Sequence, residues 1–313
     1  MKILVFGLGA LGTVYSCLLK EQGHHVAGLD REVVVNAVEE KGVRINGIWG
    51  EHGGRLDETL CGVEQLEGKN YDLVILTVKS YETGEVVRQI ARFISPDTYI
   101  LLAQNGYGNF EAAAQFISPS RLILGRVIFG AETIEAGISK VTAIADDVII
   151  GSPANVIDVE ILEAYSRIFN EAGIPTRTST EVMKFVWGKI IYNSALNPLG
   201  AILDVPYGKL AENQHTRKLM DSIIEEIFAV LSAHGQETLW PDAETYRHAF
   251  YKQMLPTTAL HHASMLQDIQ RGRKTEIEAL NGAIIKLGKQ YGVNTPVNEV
   301  ISSLLQAKEE MGS

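Results

Sequence analysis

Lys189, Asn193 and Asn197 recur at i, i+4 and i+8 inside residues 187–198, a segment that is otherwise largely apolar. On an α-helix that spacing sets one ammonium and two amides on a single face over about 12 Å. Asparagine is a poor helix former because it competes with the backbone for hydrogen bonds. A merely solvated face would more naturally carry Glu, Lys or Gln. The pattern fits a face that offers a proton and hydrogen bonds to a polar ligand; spacing alone also allows an incidental polar stripe. Pro198 lacks a backbone N–H and is expected to kink or end the helix beyond Asn197. A second cluster runs from Ser264-Met265-Leu266-Gln267-Asp268-Ile269 to Thr275-Glu276-Ile277-Glu278. Thr275 with Glu278 fits a capping box, which predicts Glu276 in the first turn of a helix, where the dipole favours a carboxylate. An ionised Glu276 can pair with Lys189 and keep it protonated, as a general acid requires. It can equally be only a helix-start residue, and Ser264 alone reads as an ordinary helix serine.

Near the start of the chain, Gly7-Leu8-Gly9-Ala10-Leu11-Gly12 is a G-x-G-x-x-G run between an apolar strand and a helical segment. Gly7 suits the tight turn, Gly9 lets the backbone approach a pyrophosphate, and Gly12 lets helix and strand pack closely. The helix N-terminus adds free N–H groups and a positive dipole end. These features predict a nicotinamide dinucleotide site. Asp30 lies where a carboxylate holds the ribose 2′-OH of NAD, whereas neighbouring Arg31 can clamp the 2′-phosphate of NADP. Lys79 adds a second cation at the same rim. Two cations against one anion favour NADPH, with NADH left open by Asp30; an Asp30–Arg31 surface ion pair is the plainer alternative. Asn105, in Gln104-Asn105-Gly106-Tyr107-Gly108, follows a strand end where ligands bind in open α/β sheets. It is read either as a ligand contact or as a turn residue in left-handed geometry.

Several elements must hold these groups. Apolar, β-branched runs predict strands at 2–6, 25–29, 73–78, 99–103, 122–127 and 148–150, with a short strand at 175–178. Helical spacing covers 10–22, with Leu11, Val14, Tyr15, Leu18 and Leu19 on one side, and 157–170. Fully apolar strands alternating with helices imply a parallel sheet covered on both faces. From 178 to 307 the periods are helical. Thr178-Ser179-Thr180-Glu181 fits a capping box at the change. The expected organisation is an α/β Rossmann-type domain over 1–178 and an all-helical domain over 179–313.

Composition bounds the function. Of 313 residues, 46% are hydrophobic and 21% charged, which suits a globular protein. The net charge of −10 argues against nucleic acid as the main ligand. No apolar run is long enough to span a bilayer, and the opening MKILVFGL is broken too soon by glycines and Lys20-Glu21-Gln22 to be a signal peptide. Two cysteines, Cys17 and Cys61, are too few for a disulfide framework and suggest a reducing, cytoplasmic setting. Cys17 reads as a small core residue. No metal is expected, since the eight histidines form no ligand motif. Long apolar helices near the C-terminus can support a homodimer.

Together these motifs resemble the ketopantoate reductase family over nearly the whole chain. The resemblance rests on GLGALG at 7–12, QNGYG at 104–108, K-x3-N-x3-N-P at 189–198, SMLQDI at 264–269, TEIEALNG at 275–282 and GVNTPVN at 292–298. It implies NADPH-dependent reduction of 2-dehydropantoate to (R)-pantoate, a step towards pantothenate and coenzyme A. It implies Lys189 as the general acid and Glu276 as the residue that binds the substrate hydroxyl and orients Lys189. Asn193, Asn197 and Ser264 would hold substrate, Asn105 would sit beside the nicotinamide, and Arg31 and Lys79 would meet the 2′-phosphate. Asn105 and Glu276 are also counted among the groups facing the cofactor. The chain departs from the family at Asp30, usually uncharged in NADPH users, at Ala145-Asp146-Asp147, and at Glu278, where aspartate is usual. The alternatives are a reductase of another small 2-oxo acid, β-hydroxy acid dehydrogenase-like, and a non-catalytic NAD(P) sensor.

Overall fold

The computed structural model describes residues 1–311. They divide into two compact units, 1–104 with 109–182, and 105–108 with the chain from 183 onward.

The first unit contains twelve strands. They are β1 (Lys2–Phe6), β2 (His25–Leu29), β3 (Val43–Gly47), β4 (His52–Gly54), β5 (Glu58–Leu60), β6 (Leu73–Leu76), β7 (Tyr99–Leu102), β8 (Leu122–Arg126), β9 (Phe129–Glu135), β10 (Ile138–Ile144), β11 (Val148–Gly151) and β12 (Thr176–Thr178). Its helices are α1 (Ala10–Glu21), α2 (Glu32–Lys41), α3 (Thr83–Ile90), α4 (Asn109–Ala113) and α5 (Val159–Glu171). Eight strands make one sheet in the order β12-β11-β8-β7-β6-β1-β2-β5. The pairings are parallel except β8 with β11. β6 and β8 are buried along their whole length, as expected for strands covered on both faces. The chain builds outward from β1 in one direction through β2 and in the other through β6, so the crevice at the end of β1 is a topological switch point.

Two sequence expectations change here. The sheet is not wholly parallel, and a second, four-stranded sheet, β4-β3-β10-β9, lies outside the predicted strands. β3 and β4 are glycine-bearing and largely exposed, β9 has one buried residue, Phe129, and β10 has two, Ser139 and Val141. They lack the continuous apolar run that marks the main sheet. The second sheet also explains why α1 is not one-sided: residues 12–19 are all buried, because the helix touches both sheets. Cys17 is fully buried there, with its thiol 3.8 Å from the Val43 carbonyl.

The second unit is helical: α6 (Val182–Leu203, of which Val182 belongs to the first unit), α7 (Tyr207–Glu212), α8 (Gln214–His234), α9 (Ala243–Ala249), α10 (Leu255–Thr257), α11 (Ser264–Gln270), α12 (Asn281–Tyr291) and α13 (Pro296–Met311). Three local expectations are corrected. Of the two outcomes expected at Pro198, a kink or an end, the end does not occur: α6 runs on to Leu203. Its last carbonyls, Ala201 and Ile202, accept from Lys308 Nζ at 2.8 and 3.1 Å, a favourable charge for a helix C-terminus. Thr178 is the last residue of β12 rather than a cap, and Ser179 Oγ accepts from the Glu181 N–H at 3.0 Å. Glu276 precedes a single 3-10 turn, Ile277–Ala279, instead of lying in the first turn of a helix. Thr275 Oγ1 accepts from the Ile277 N–H, and the Glu278 carboxylate accepts from Gln306.

Among the described residues no helix is long and apolar enough to cross a membrane, and no cluster of His, Cys, Asp or Glu could hold a metal ion.

Candidate active site

The glycine-rich loop leaves β1 and enters α1. Gly7 has φ +98°, and a Cβ there would lie 2.8 Å from the Val78 nitrogen. A Cβ on Gly12 would lie 1.8 Å from the Gly7 carbonyl oxygen. These two glycines are compelled by packing. Gly9 differs: a Cβ there would meet nothing within 4 Å. Its absent side chain opens space in front of the α1 N-terminus, where Gly9 is the N-cap and makes no side-chain bond. Leu8, Ala10 and Leu11 complete the loop, and no acidic residue occupies the first turn of α1. A dinucleotide's pyrophosphate fits this cradle, since it needs close backbone approach and free N–H groups.

Asp30 follows β2 and is mostly buried. Its Oδ2 accepts from the Leu8 N–H and its Oδ1 from the Arg31 N–H, both at 2.6 Å. The carboxylate therefore holds the glycine loop as well as the rim. The Arg31 guanidinium is exposed, 3.7 Å from Asp30, so the ion pair and an open cation coexist. Lys79 stands just beyond β6 at the start of a 3-10 turn and is half-buried.

In the second unit, the Lys189 Nζ donates to Asn105 Oδ1 at 2.6 Å, and Asn105 Nδ2 donates to Glu276 Oε2 at 3.2 Å. Three stretches of chain far apart in sequence thus meet at one amide. Asn105 does not use left-handed geometry; Gly106 does, with φ +86°. A Cβ on Gly106 would lie 2.6 Å from both Ala279 Cβ and Ala279 O, and the Tyr107 N–H donates to that carbonyl at 2.8 Å. The Tyr107 ring stacks on Trp187, two residues before Lys189, with centroids 4.9 Å apart. These contacts fix the loop that carries Asn105 against the elements that carry its partners. Glu276 is 8% exposed, a burial that charged groups accept only with partners.

The Asn193 side chain is half-buried and makes no hydrogen bond to another described residue. Asn197 is 4% exposed, and its Oδ1 accepts from the Tyr207 hydroxyl. That bond turns the Asn197 NH2 group into the free end of the amide. Ser264 takes no part in these bonds; it is exposed at the first position of α11.

Residues 3–155 match the family model for ketopantoate reductase PanE/ApbA, and residues 181–309 match its C-terminal model. The chain belongs to the ketopantoate reductase family. It is 46% identical to a 2-dehydropantoate 2-reductase of Aquifex aeolicus, over 99% of this chain and 97% of that one. It is 31% identical to a 2-dehydropantoate 2-reductase of Pyrococcus abyssi, over 99% of both. Among solved structures it resembles a family ketopantoate reductase from Ralstonia eutropha, with TM-score 0.88, 27% identity and coverage of 100% and 99%. It resembles equally a D-mandelate dehydrogenase in ternary complex with NADH and anilino(oxo)acetate, with TM-score 0.88, 28% identity and the same coverage.

For this ketopantoate reductase family member, sequence reasoning missed the residues that hold others in place. Thr83 is fully buried; its Oγ1 donates to Asn109 Oδ1 at 2.8 Å and accepts from Gln104 Nε2 at 2.9 Å. It therefore ties both stems of the loop that carries Asn105. Tyr192 is paired with Thr258, and burial raises its hydroxyl to about 12, so it stays protonated. Nothing local distinguishes Thr83 or Tyr207 from core residues, because their roles arise only from distant partners.

Proposed function

We infer that this protein reduces 2-dehydropantoate to (R)-pantoate with NADPH, feeding pantothenate and coenzyme A synthesis. The observation that carries this reading is the Lys189–Asn105–Glu276 chain of hydrogen bonds within the second unit. Residues 1–178 act as the dinucleotide-binding domain and 179–313 as the substrate domain, with Asn105 contributed to the latter's chemistry by the loop after β7. Residues 7–12 receive the pyrophosphate, and Arg31 and Lys79 the 2′-phosphate. The bound cofactor supplies a hydride to the 2-oxo carbon.

The chain's own residues do the remainder. Lys189 donates a proton to the carbonyl oxygen as negative charge grows there. Glu276, through Asn105, keeps that lysine oriented and cationic, and also accepts from the substrate hydroxyl. Asn105 lies beside the reacting carbon. The free NH2 group of Asn197 and the amide of Asn193 suit the substrate carboxylate and hydroxyl, and Ser264 closes that set. The homodimer assigned to the C-terminal helices is tested by light scattering, with α13 exposing Val300 and Leu304. A cytoplasmic location accompanies the biosynthetic role.

One observation favours a second reading, in which another 2-oxo acid is reduced with NADH: a D-mandelate dehydrogenase bound to NADH is as similar in fold as a family ketopantoate reductase. Steady-state assays of 2-dehydropantoate, benzoylformate and other 2-oxo acids, each with NADPH and NADH, decide between them. The first reading expects the highest kcat/KM for 2-dehydropantoate with NADPH. Preference for an aryl 2-oxo acid with NADH would replace it, and cofactor binding without turnover of any 2-oxo acid would favour a sensor.

A further inference from the structure

Pro198 lies inside α6, the helix that carries Lys189, Asn193 and Asn197. A proline has no N–H, so the carbonyl four residues earlier, on Ser194, loses its helical donor. Asn281 replaces it: its Nδ2 donates to the Ser194 carbonyl at 3.2 Å, and both residues are fully buried. The other N–H of the same amide donates to Asn298 Oδ1 at 2.9 Å. Asn298 Nδ2 donates in turn to Glu226 Oε2 at 2.7 Å, and Glu226 also accepts the Val297 and Asn298 backbone N–H groups at 2.9 and 3.0 Å.

This chain of bonds joins the two stretches that meet at Asn105. Ser194 follows Asn193 on α6, and Asn281, the first residue of α12, lies five positions after Glu276. Stability alone does not call for the arrangement. Asn281 Oδ1 and Ser194 Oγ are buried without a partner, which is destabilising. An ordinary residue at 198 would satisfy the Ser194 carbonyl within the helix.

We propose that Asn281 is a positioning residue: by filling the gap that Pro198 leaves, it sets the register of α6 against the Glu276 segment, so that Lys189 and Glu276 reach opposite ends of the Asn105 amide. The proposal rests on the reading of Lys189 as the proton donor. The double variant Pro198→Ala/Asn281→Leu separates positioning from carbonyl satisfaction, because alanine in place of the proline restores the helical N–H while the tie to α12 stays broken.

The test measures kcat, KM for 2-dehydropantoate, NADPH affinity by fluorescence and thermal midpoint for the full chain. Asn281→Leu is expected to lower kcat about 10- to 100-fold, the scale of small misplacements of reacting groups, with a lower midpoint and unchanged NADPH affinity. The double variant is expected to regain part of the midpoint, Asn298 Oδ1 still lacking its donor, but not kcat. Recovery of kcat together with the midpoint overturns positioning, as does an unchanged kcat in Asn281→Leu. If the single variant fails to fold, the double variant decides by the same criterion. Lys189→Ala runs beside them: an unchanged kcat there overturns the proton-donor reading instead.

Discussion

In the first unit the glycine-rich loop is shaped by side chains that are missing, whereas in the second unit the Lys189 face is shaped by side chains that bond to one another. Gly7 and Gly12 are excluded from carrying a Cβ by backbone atoms close at hand. Lys189, by contrast, is held by a residue 84 positions away in sequence, and that residue by another 171 positions away. A steric cradle is local and tolerates little change. A polar relay is distributed over residues far apart in sequence. On the proposed function, the first holds the cofactor and the second carries the reaction.

Substitutions can break this contrast. Lys189→Ala should lower kcat by roughly 10²- to 10⁴-fold, the usual worth of a positioned proton donor, and leave NADPH affinity unchanged. Stopped-flow hydride transfer and fluorescence titration check the two halves of that statement. The glycine pair should separate packing from ligand approach. Gly12→Ala should destabilise the fold by about 1–3 kcal/mol, as overpacking does, and appear as a lower thermal midpoint. Gly9→Ala, with open space around it, should keep the midpoint and weaken NADPH binding. Equal midpoints for both variants would remove the steric account.

Smaller effects sharpen the comparison. A charge-assisted hydrogen bond is worth about 1.5–3 kcal/mol, so Arg31→Ala should reduce the preference for NADPH over NADH roughly 10- to 100-fold, read as a ratio of kcat/KM values. No change would return Arg31 to a surface ion pair with Asp30. Tyr207→Phe removes one neutral hydrogen bond, about 1 kcal/mol, and should raise KM for the 2-oxo acid roughly fivefold with kcat nearly intact. Last, burial pushes the Cys17 thiol from 9.0 up to about 12, while Cys61 is exposed. A thiol reagent at pH 8 should therefore label one cysteine in the folded protein, without loss of activity, and two after denaturation. Because the folded state holds the Cys17 proton more tightly, its contribution to stability is present below pH 9 and lost as pH rises through about 12.

The sequence by itself determined whatever depends on neighbours along the chain. Apolar runs located β1, β2, β6, β7, β8 and β11 to within a few residues, and the helical spacing set Lys189, Asn193 and Asn197 on one helix. The G-x-G-x-x-G run identified its turn because glycine's roles there are backbone roles. Tertiary structure alone decided what depends on partners. It added a second sheet whose strands are too exposed to carry the continuous apolar run that marks the main sheet. It carried α6 through Pro198 because Asn281 supplies the donor that the proline lacks. It gave Glu276 its place by burial and by Asn105, not by the capping box that its neighbours resemble. Hydrogen bonds between residues a hundred positions apart have no local energetic trace, so neither period nor propensity can record them.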